Sequence, residues 1–281
     1  MTTSQLPDLD PQQYSATRDA LQAYARVMGG WMTACRPRRK HWWHASLRPS
    51  LAGVTTGVIH ANVDFEIELN ISKGTLSVDT AVGRRMREEL YGQPAAELST
   101  HVAEFLKSVG VSDRRSDADN SRLRNDRAFP GYSSEEAKKL GGTLNAVSAA
   151  LAAFRAGIRE ETSPIGLWPH HFDLAMLWLP GDKVAGQDPA DEENADKQMN
   201  FGFTFGDEGI PEPYFYVTAY PIPEGFSAQP LPPGSKWYSE GFSGVLLRYS
   251  RLTQESDPAT YLASMWDGVL STGRAQLPDA N

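Results

Sequence analysis

Cysteine is nearly absent from this chain, with Cys35 the single example in 281 residues. That excludes an intramolecular disulfide framework and a structural zinc site built on cysteines. No run of about 20 apolar residues occurs, so no membrane-spanning helix is expected. The opening residues, MTTSQLPDLD, lack the basic and apolar segments of a signal peptide. Positive charge is also in deficit: 27 Lys and Arg stand against 35 Asp and Glu, a net charge of -8. An acidic chain is poorly suited to nucleic acid or anionic lipid, and neither is an expected partner. Gly-x-Gly-x-x-Gly and Gly-Lys-Ser/Thr phosphate loops are missing. The nearest run to Gly-x-Ser-x-Gly, Glu240 to Gly244, has a glycine two residues before Ser243 but only one after it. The expectation left by these exclusions is a soluble cytoplasmic protein.

What is present is an ordinary globular composition, 40% hydrophobic and 22% charged, in a chain long enough for a sizeable core. Asp10-Pro11 starts an amphipathic helix carrying Leu21, Tyr24, Met28 and Trp31, which Gly29-Gly30 is expected to kink or end. CRPRRKHWWHASL (35–47) reads as a basic turn running into an aromatic strand. Strands follow over 53–61, 63–71 and 75–78; in the second, Phe65, Ile67, Leu69 and Ile71 alternate with polar residues. A short helix is expected from about 79 to 91, and another from Pro94 to Gly110. The charged stretch 111–133 reads as a linker between halves 10–110 and 134–270 of a single unit. A long helix from 134 to about 160 comes next. Further strands are expected over 167–180, 199–205, 214–220 and, with a bend, 237–252. The acidic run 182–198 reads as a mobile surface loop, and a last helix starts at Asp257-Pro258. The fold class is α+β, antiparallel sheet with helices packed on one side, with an internal duplication left open.

The run LWPHHFDLAMLWLP (167–180) is the most apolar in the chain, yet it holds two histidines and an aspartate. Read as one buried strand, it places His171, Asp173, Ala175, Leu177 and Leu179 on one face. A buried carboxylate must be paired or bound. His171-Phe172-Asp173 also has the spacing of a metal-binding pair, and a divalent metal on His171 and Asp173 is one expectation. No histidine follows His171, so a third histidine ligand must come from His41, His44, His60 or His101. The alternative is that Asp173 is a hydrogen-bonded structural residue.

The ordered set RKHWWHASL, GVTT, FEIELN, SPIGLWPHHFDLA, MNFGFTFGD, PYFYVTAYP and EGFSGVLLRY resembles a bacterial family described only as a domain of unknown function. The resemblance covers roughly 24–270 and implies a globular protein, with no activity, substrate or cofactor attached. Matched positions are His41, Trp42, Trp43, Thr55, Thr56, Phe172, Asp173 and Glu240. The chain departs from the family's Trp-Gly-Ser at Pro169-His170-His171, and Asn70 replaces a usual aspartate.

Together these features give an expected site. Asp173 and Glu240 form an acidic pair, and His171 and His41 act as proton carriers or ligands. Trp43 forms a stacking wall, with Thr56 and Arg36 beside the bound molecule. The functional expectation is a small-molecule-binding protein with an acidic, histidine-bearing, aromatic-lined cleft, and an enzyme if that cleft is reactive. The competing expectation is a non-catalytic scaffold in which the same polar residues are structural.

Overall fold

A computed structural model describes residues 6–116, 127–191 and 193–278, which form five α-helices and twelve strands. The middle of the expected linker, 117–126, lies outside the described residues. Its described ends are tied to the body: Arg115 sits 4.6 Å over the Trp31 ring, and the Phe129 amide donates to Gly92 O.

Helix α1 (Pro11–Cys35) starts where expected, with Asp10 accepting from the Gln12 amide at 2.9 Å and Pro11 in the first turn. The helix continues through Gly29-Gly30 to Cys35. A Cβ on Gly29 would lie 3.1 Å from Pro169 Cγ, so this glycine serves a close approach between helix and turn. Strands β1 (Arg48–Ser50), β2 (Gly53–Thr55), β3 (Phe65–Asn70), β4 (Thr75–Thr80) and β5 (Arg85–Glu89) form an antiparallel meander in that order. β3 buries Phe65, Ile67 and Leu69 and leaves its alternate residues half-exposed, the period-two pattern of a one-sided sheet. The helix expected over 79–91 is instead the β4–β5 hairpin. Its Arg, Met and Glu residues favour helix locally, but Gly83 turns the chain with φ 75° and pairing with β4 decides the outcome.

Helix α2 (Ala95–Ser108) packs on α1 and β5, and α3 (Ser134–Ala156) starts with Ser133 accepting from the Glu136 amide. The second sheet contains β6 (Glu161–Thr162), β7 (Gly166–Trp168), β8 (Asp173–Leu179), β9 (Gln198–Thr204), β10 (Tyr214–Tyr220), β11 (Lys236–Tyr238) and β12 (Gly244–Arg248). Its order is β11-β12-β10-β9-β8-β6, with β7 beside β6 along the outer edge of β8. The chain closes with α4 (Tyr249–Leu252) and α5 (Pro258–Gln276). Residues 237–252 are thus a hairpin and a helical turn, not one bent strand.

Helix α3 packs against β8 of the second sheet and against β1 and β2 of the first, so one core runs between the sheets. Phe154 stands between Phe201 and Trp266, with ring centroids 5.0 and 5.2 Å away. Trp31 meets Phe65 edge-on at 5.7 Å. Leu174, Met176 and Trp178 of β8, and Met199, Phe201 and Phe203 of β9, face this core. Asp173, Ala175 and Leu177 therefore face the other way, as do Asn200 and Gly202.

Gly53 holds β2 close to its neighbour: a Cβ there would stand 2.2 Å from Leu69 O. Gly53→Ala is expected to destabilise the protein by about 1–3 kcal/mol, because a backbone oxygen has to move. Urea denaturation followed by circular dichroism measures the loss; an unchanged midpoint would show that this contact is not fixed.

Candidate functional site

The 167–180 run is two strands, not one. Pro169 to Phe172 form the β7–β8 hairpin turn, in which the Phe172 amide donates to Trp168 O at 2.8 Å and Phe172 takes a left-handed φ of 55°. Pro169 has no N–H to offer a sheet, which is the local reason the strand breaks here. The face alternation holds from Asp173 onward and fails before it. His170 and His171 sit exposed in the turn. The turn is fastened to α1, with Gln22 Nε2 and Arg26 Nη2 both donating to His170 O, at 2.5 and 2.9 Å.

A cleft of about 530 Å³ opens beside this turn. Its walls are Thr33 at the end of α1, the His41-Trp42 turn, Trp168, Ser163 and Glu193, and its floor is the outward face of β8 and β9. A second cleft of about 600 Å³ shares Thr33, Ala45, His170 and His171 with the first, and continues toward Arg26 and Arg115.

The floor of the first cleft is polar at one place. Tyr216 of β10 reaches across Gly202 of β9, where a Cβ would lie 2.1 Å from its ring, and donates its hydroxyl to Asp173 Oδ2. Asn200 of β9 lies near the same phenol. Asp173 is 9% exposed, and its Oδ1, like Asn200 Oδ1, has no hydrogen-bond partner. Burial pushes the Asp173 carboxyl above its ordinary value of 3.8, opposed by the Tyr216 bond and by His171. Burial also raises Tyr216, reinforced by the neighbouring carboxylate, so the phenol keeps its proton and acts as a donor.

The other expected site residues part company with Asp173. His41 lines the cleft but is 7% exposed, and its Nε2 lies 3.0 Å from Asp196 Oδ2. Lys40 and Lys183 pair with the same carboxylate. Burial would raise Asp196, but Lys183, Lys40 and His41 outweigh it and hold the group at about 2. This cluster fixes the 40–42 segment, which is a short 3₁₀ turn and not a strand, with His41 and Trp42 at φ 51° and 56°. Left-handed backbone costs a side-chain-bearing residue about 1–2 kcal/mol, and the Asp196 contacts hold it there. Trp42 is capped by Arg38 at 4.6 Å and stacked on His44 at 5.5 Å. Trp43 packs beside the His41 ring and does not line the cleft.

Arg36 is committed to the backbone, donating to the carbonyls of Thr56, Gly57 and Val58. Thr56 is fully buried, with its hydroxyl between Gly57 O and the Ile67 amide. Both are structural residues of the first sheet. Glu240 stands exposed in the β11–β12 turn, away from the cleft lining, so the expected Asp173–Glu240 pair does not form there. The expected metal set also lacks a third ligand. His41 serves Asp196, His44 Nδ1 accepts from the Arg39 amide, His60 pairs with Asp64 and His101 with Glu88. Among the described residues, no group of three or more His, Cys, Asp and Glu is placed to hold a metal ion.

Tyr216, Asn200 and Asp196 were not singled out by the sequence. The alternation of rings with small residues in FGFTF was the available signal for Tyr216, since Gly202 is the space its ring occupies. Asp196 was hidden in an acidic run whose other described acidic residues are half-buried or exposed.

The fold and cleft define a two-sheet α+β protein with a pocket on the outward face of its larger sheet. The chain belongs to the family of unknown function DUF5996, whose profile matches residues 6–274. No curated protein and no solved structure matches it. No helix among the described residues is long and apolar enough to cross a membrane.

A raised carboxyl stabilises the fold fully below about pH 4, the unfolded value, and that contribution is lost as pH rises through the folded value. Asp173→Asn keeps an acceptor for Tyr216 and removes the buried charge. Its stability relative to the wild type is therefore expected to improve as pH rises above about 4 and then level off. Asp173→Ala leaves the phenol unpaired and is expected to lose about 1–3 kcal/mol. Urea melts at a series of pH values test both; an Asp173→Asn difference that stays flat with pH contradicts the raised carboxyl.

Proposed function

We propose that this protein binds a small organic molecule in the cleft between the β7–β8 turn, the His41-Trp42 turn and the outward face of β8 and β9. The observation that carries this reading is a cleft of about 530 Å³ whose lining includes Asp173, a buried carboxyl with one oxygen left unpartnered. Small-molecule sites have volumes of about 300–1,000 Å³ and a few polar groups set among apolar ones. Here Trp168, Ala175 and Leu177 supply the apolar lining. A carboxyl raised by burial can serve as a proton donor or acceptor, with exposed His171 as its neighbour at the cleft. An enzyme built here would use Asp173 as its acid or base.

The scaffold reading draws support from His41, Thr56 and Arg36, each of which has a structural partner. It gives no partner to Asp173 Oδ1. The protein's setting is proposed to be the cytoplasm, in keeping with a lone cysteine, and its partner a small molecule and not nucleic acid, in keeping with the net charge of -8.

Thr33 stands half-buried at the junction of both clefts, and its hydroxyl bonds only to carbonyls of its own helix. Thr33→Trp is expected to fill the entrance with little cost in stability. In a ligand-observed NMR screen of a fragment library, compounds that bind the wild type are expected to lose binding to Thr33→Trp by about tenfold or more. Hits that bind both proteins equally, or no hits at millimolar concentration, would overturn the cleft as a binding site.

A further inference from the structure

We infer that the second cleft is an oxyanion site, which takes the carboxylate or phosphoryl end of a small organic acid. It lies beside the cleft proposed above and shares Thr33 with it, but its lining has a different charge. Charge, anchoring and open space along α1 each point to this class.

The formal charge in the lining is of one sign. Arg26 and Arg115 line this cleft beside His170 and His171, and none of its described lining residues is an aspartate or glutamate. The first cleft has the opposite character, with Asp173 and Glu193 in its lining and no lysine or arginine among the described residues there. The two arginines differ in what they have left to give. Arg115 donates to Asp113 and to Ser99 Oγ and lies over the Trp31 ring, so its charge is already shared with a carboxylate. Arg26 has one bond, from Nη2 to His170 O, and no carboxylate among the described residues pairs with it. Its other N–H donors are there for a ligand.

That one bond also decides how Arg26 can bind. An exposed arginine that sweeps freely through water loses side-chain entropy when it closes on a ligand. Here the 2.9 Å bond to His170 O ties the guanidinium to the β7–β8 turn, which lines the same cleft. A guanidinium held in this way presents a planar fork of donors, the arrangement that carboxylate and phosphoryl oxygens accept in pairs.

The space beside it comes from a glycine. Residues 26, 30 and 33 follow at spacings of four and three, along one stripe of α1. Gly30 lines the cleft half-exposed, so no side chain of that stripe stands between Arg26 and Thr33, although glycine weakens a helix interior. The cavity of about 600 Å³ suits a small molecule. A net charge of -8 disfavours a polyanion such as nucleic acid and leaves a small acid as the source of the oxyanion.

Four probes built on one ring test this: benzoate, phenyl phosphate, benzamide and benzamidine, each titrated at neutral pH and low salt by ligand-observed NMR. One or both acids are expected to bind the wild-type protein about fivefold or more tightly than benzamide, with benzamidine weakest. Whether benzoate or phenyl phosphate leads tells a carboxylate site from a phosphoryl site. Added sodium chloride is expected to shrink the preference. Arg26→Gln, in which Gln22 still holds the turn and folding is checked by circular dichroism, is expected to bring the acids down to the affinity of benzamide. Arg26→Lys keeps the charge and is expected to keep part of the preference. Benzamide or benzamidine binding as tightly as both acids overturns the inference, as does the failure of both acids to bind at millimolar concentration. A preference that survives Arg26→Gln, or that Arg26→Lys abolishes as completely, also overturns it. None of these results bears on the first cleft, which Thr33→Trp tests with its own ligands.

Discussion

The ring of Tyr216 can cross β9 only because residue 202 has no side chain. That allowance lets a phenol from β10 meet a carboxylate from β8, two strands away. A charged group on the face of a sheet normally turns to water. Here Asp173 is instead kept low on the sheet, beside Ala175, with one oxygen bonded and one not. The cleft, its acidity and its raised carboxyl all follow from this arrangement across three strands. The opposite face of the same strands carries Leu174, Phe201, Phe203 and Phe215 into the main core, so the strands that frame the site cannot readily shift.

The walls are built differently from the floor. The β7–β8 turn is held by two side chains of α1 that share one carbonyl, and Pro169 rests against Gly29 of that helix. The His41-Trp42 turn is held by Asp196 from the loop before β9. Segments far apart in sequence thus close around the floor, tied by side-chain contacts in addition to the strand pairing at their ends. Such contacts place side chains well but resist displacement less than a packed core does. The floor of the site is accordingly the rigid part, and the rim the part with room to adjust.

The sequence revealed the fold class and most elements because periodicity reports burial directly. β3 alternates cleanly, and α1, α3 and α5 begin at Asp10, Ser133 and Asp257 with side-chain caps. It misled where local preference and tertiary pairing disagree: β5 is rich in helix formers yet becomes a strand because β4 offers a partner. In the 167–180 run, hydrophobicity concealed a proline-broken turn, and the error moved His170 and His171 from the interior to the surface. Asp173 was legible as a carboxylate needing a reason, and the structure keeps it at the centre. Glu240 and Thr56 were grouped with it by their match to the family pattern and Arg36 by its basic turn beside the indoles, none of which reports position in space. Tyr216 could not have been paired with Asp173 from sequence, because strand order β8-β9-β10 is what brings them within reach.

The order of the second sheet has a consequence for how copies of this chain meet in solution. One border is β11, three residues long, carrying Lys236 and following a stretch with five prolines between 221 and 233. The other border of β8 is filled by two short pieces, β6 and β7, separated by Ser163-Pro164-Ile165. Neither border offers a long flat row of unmatched amides and carbonyls to a neighbour. A sheet rich in phenylalanine and tyrosine, which would otherwise be a template for stacking chain on chain, is thereby terminated at both ends within its own fold.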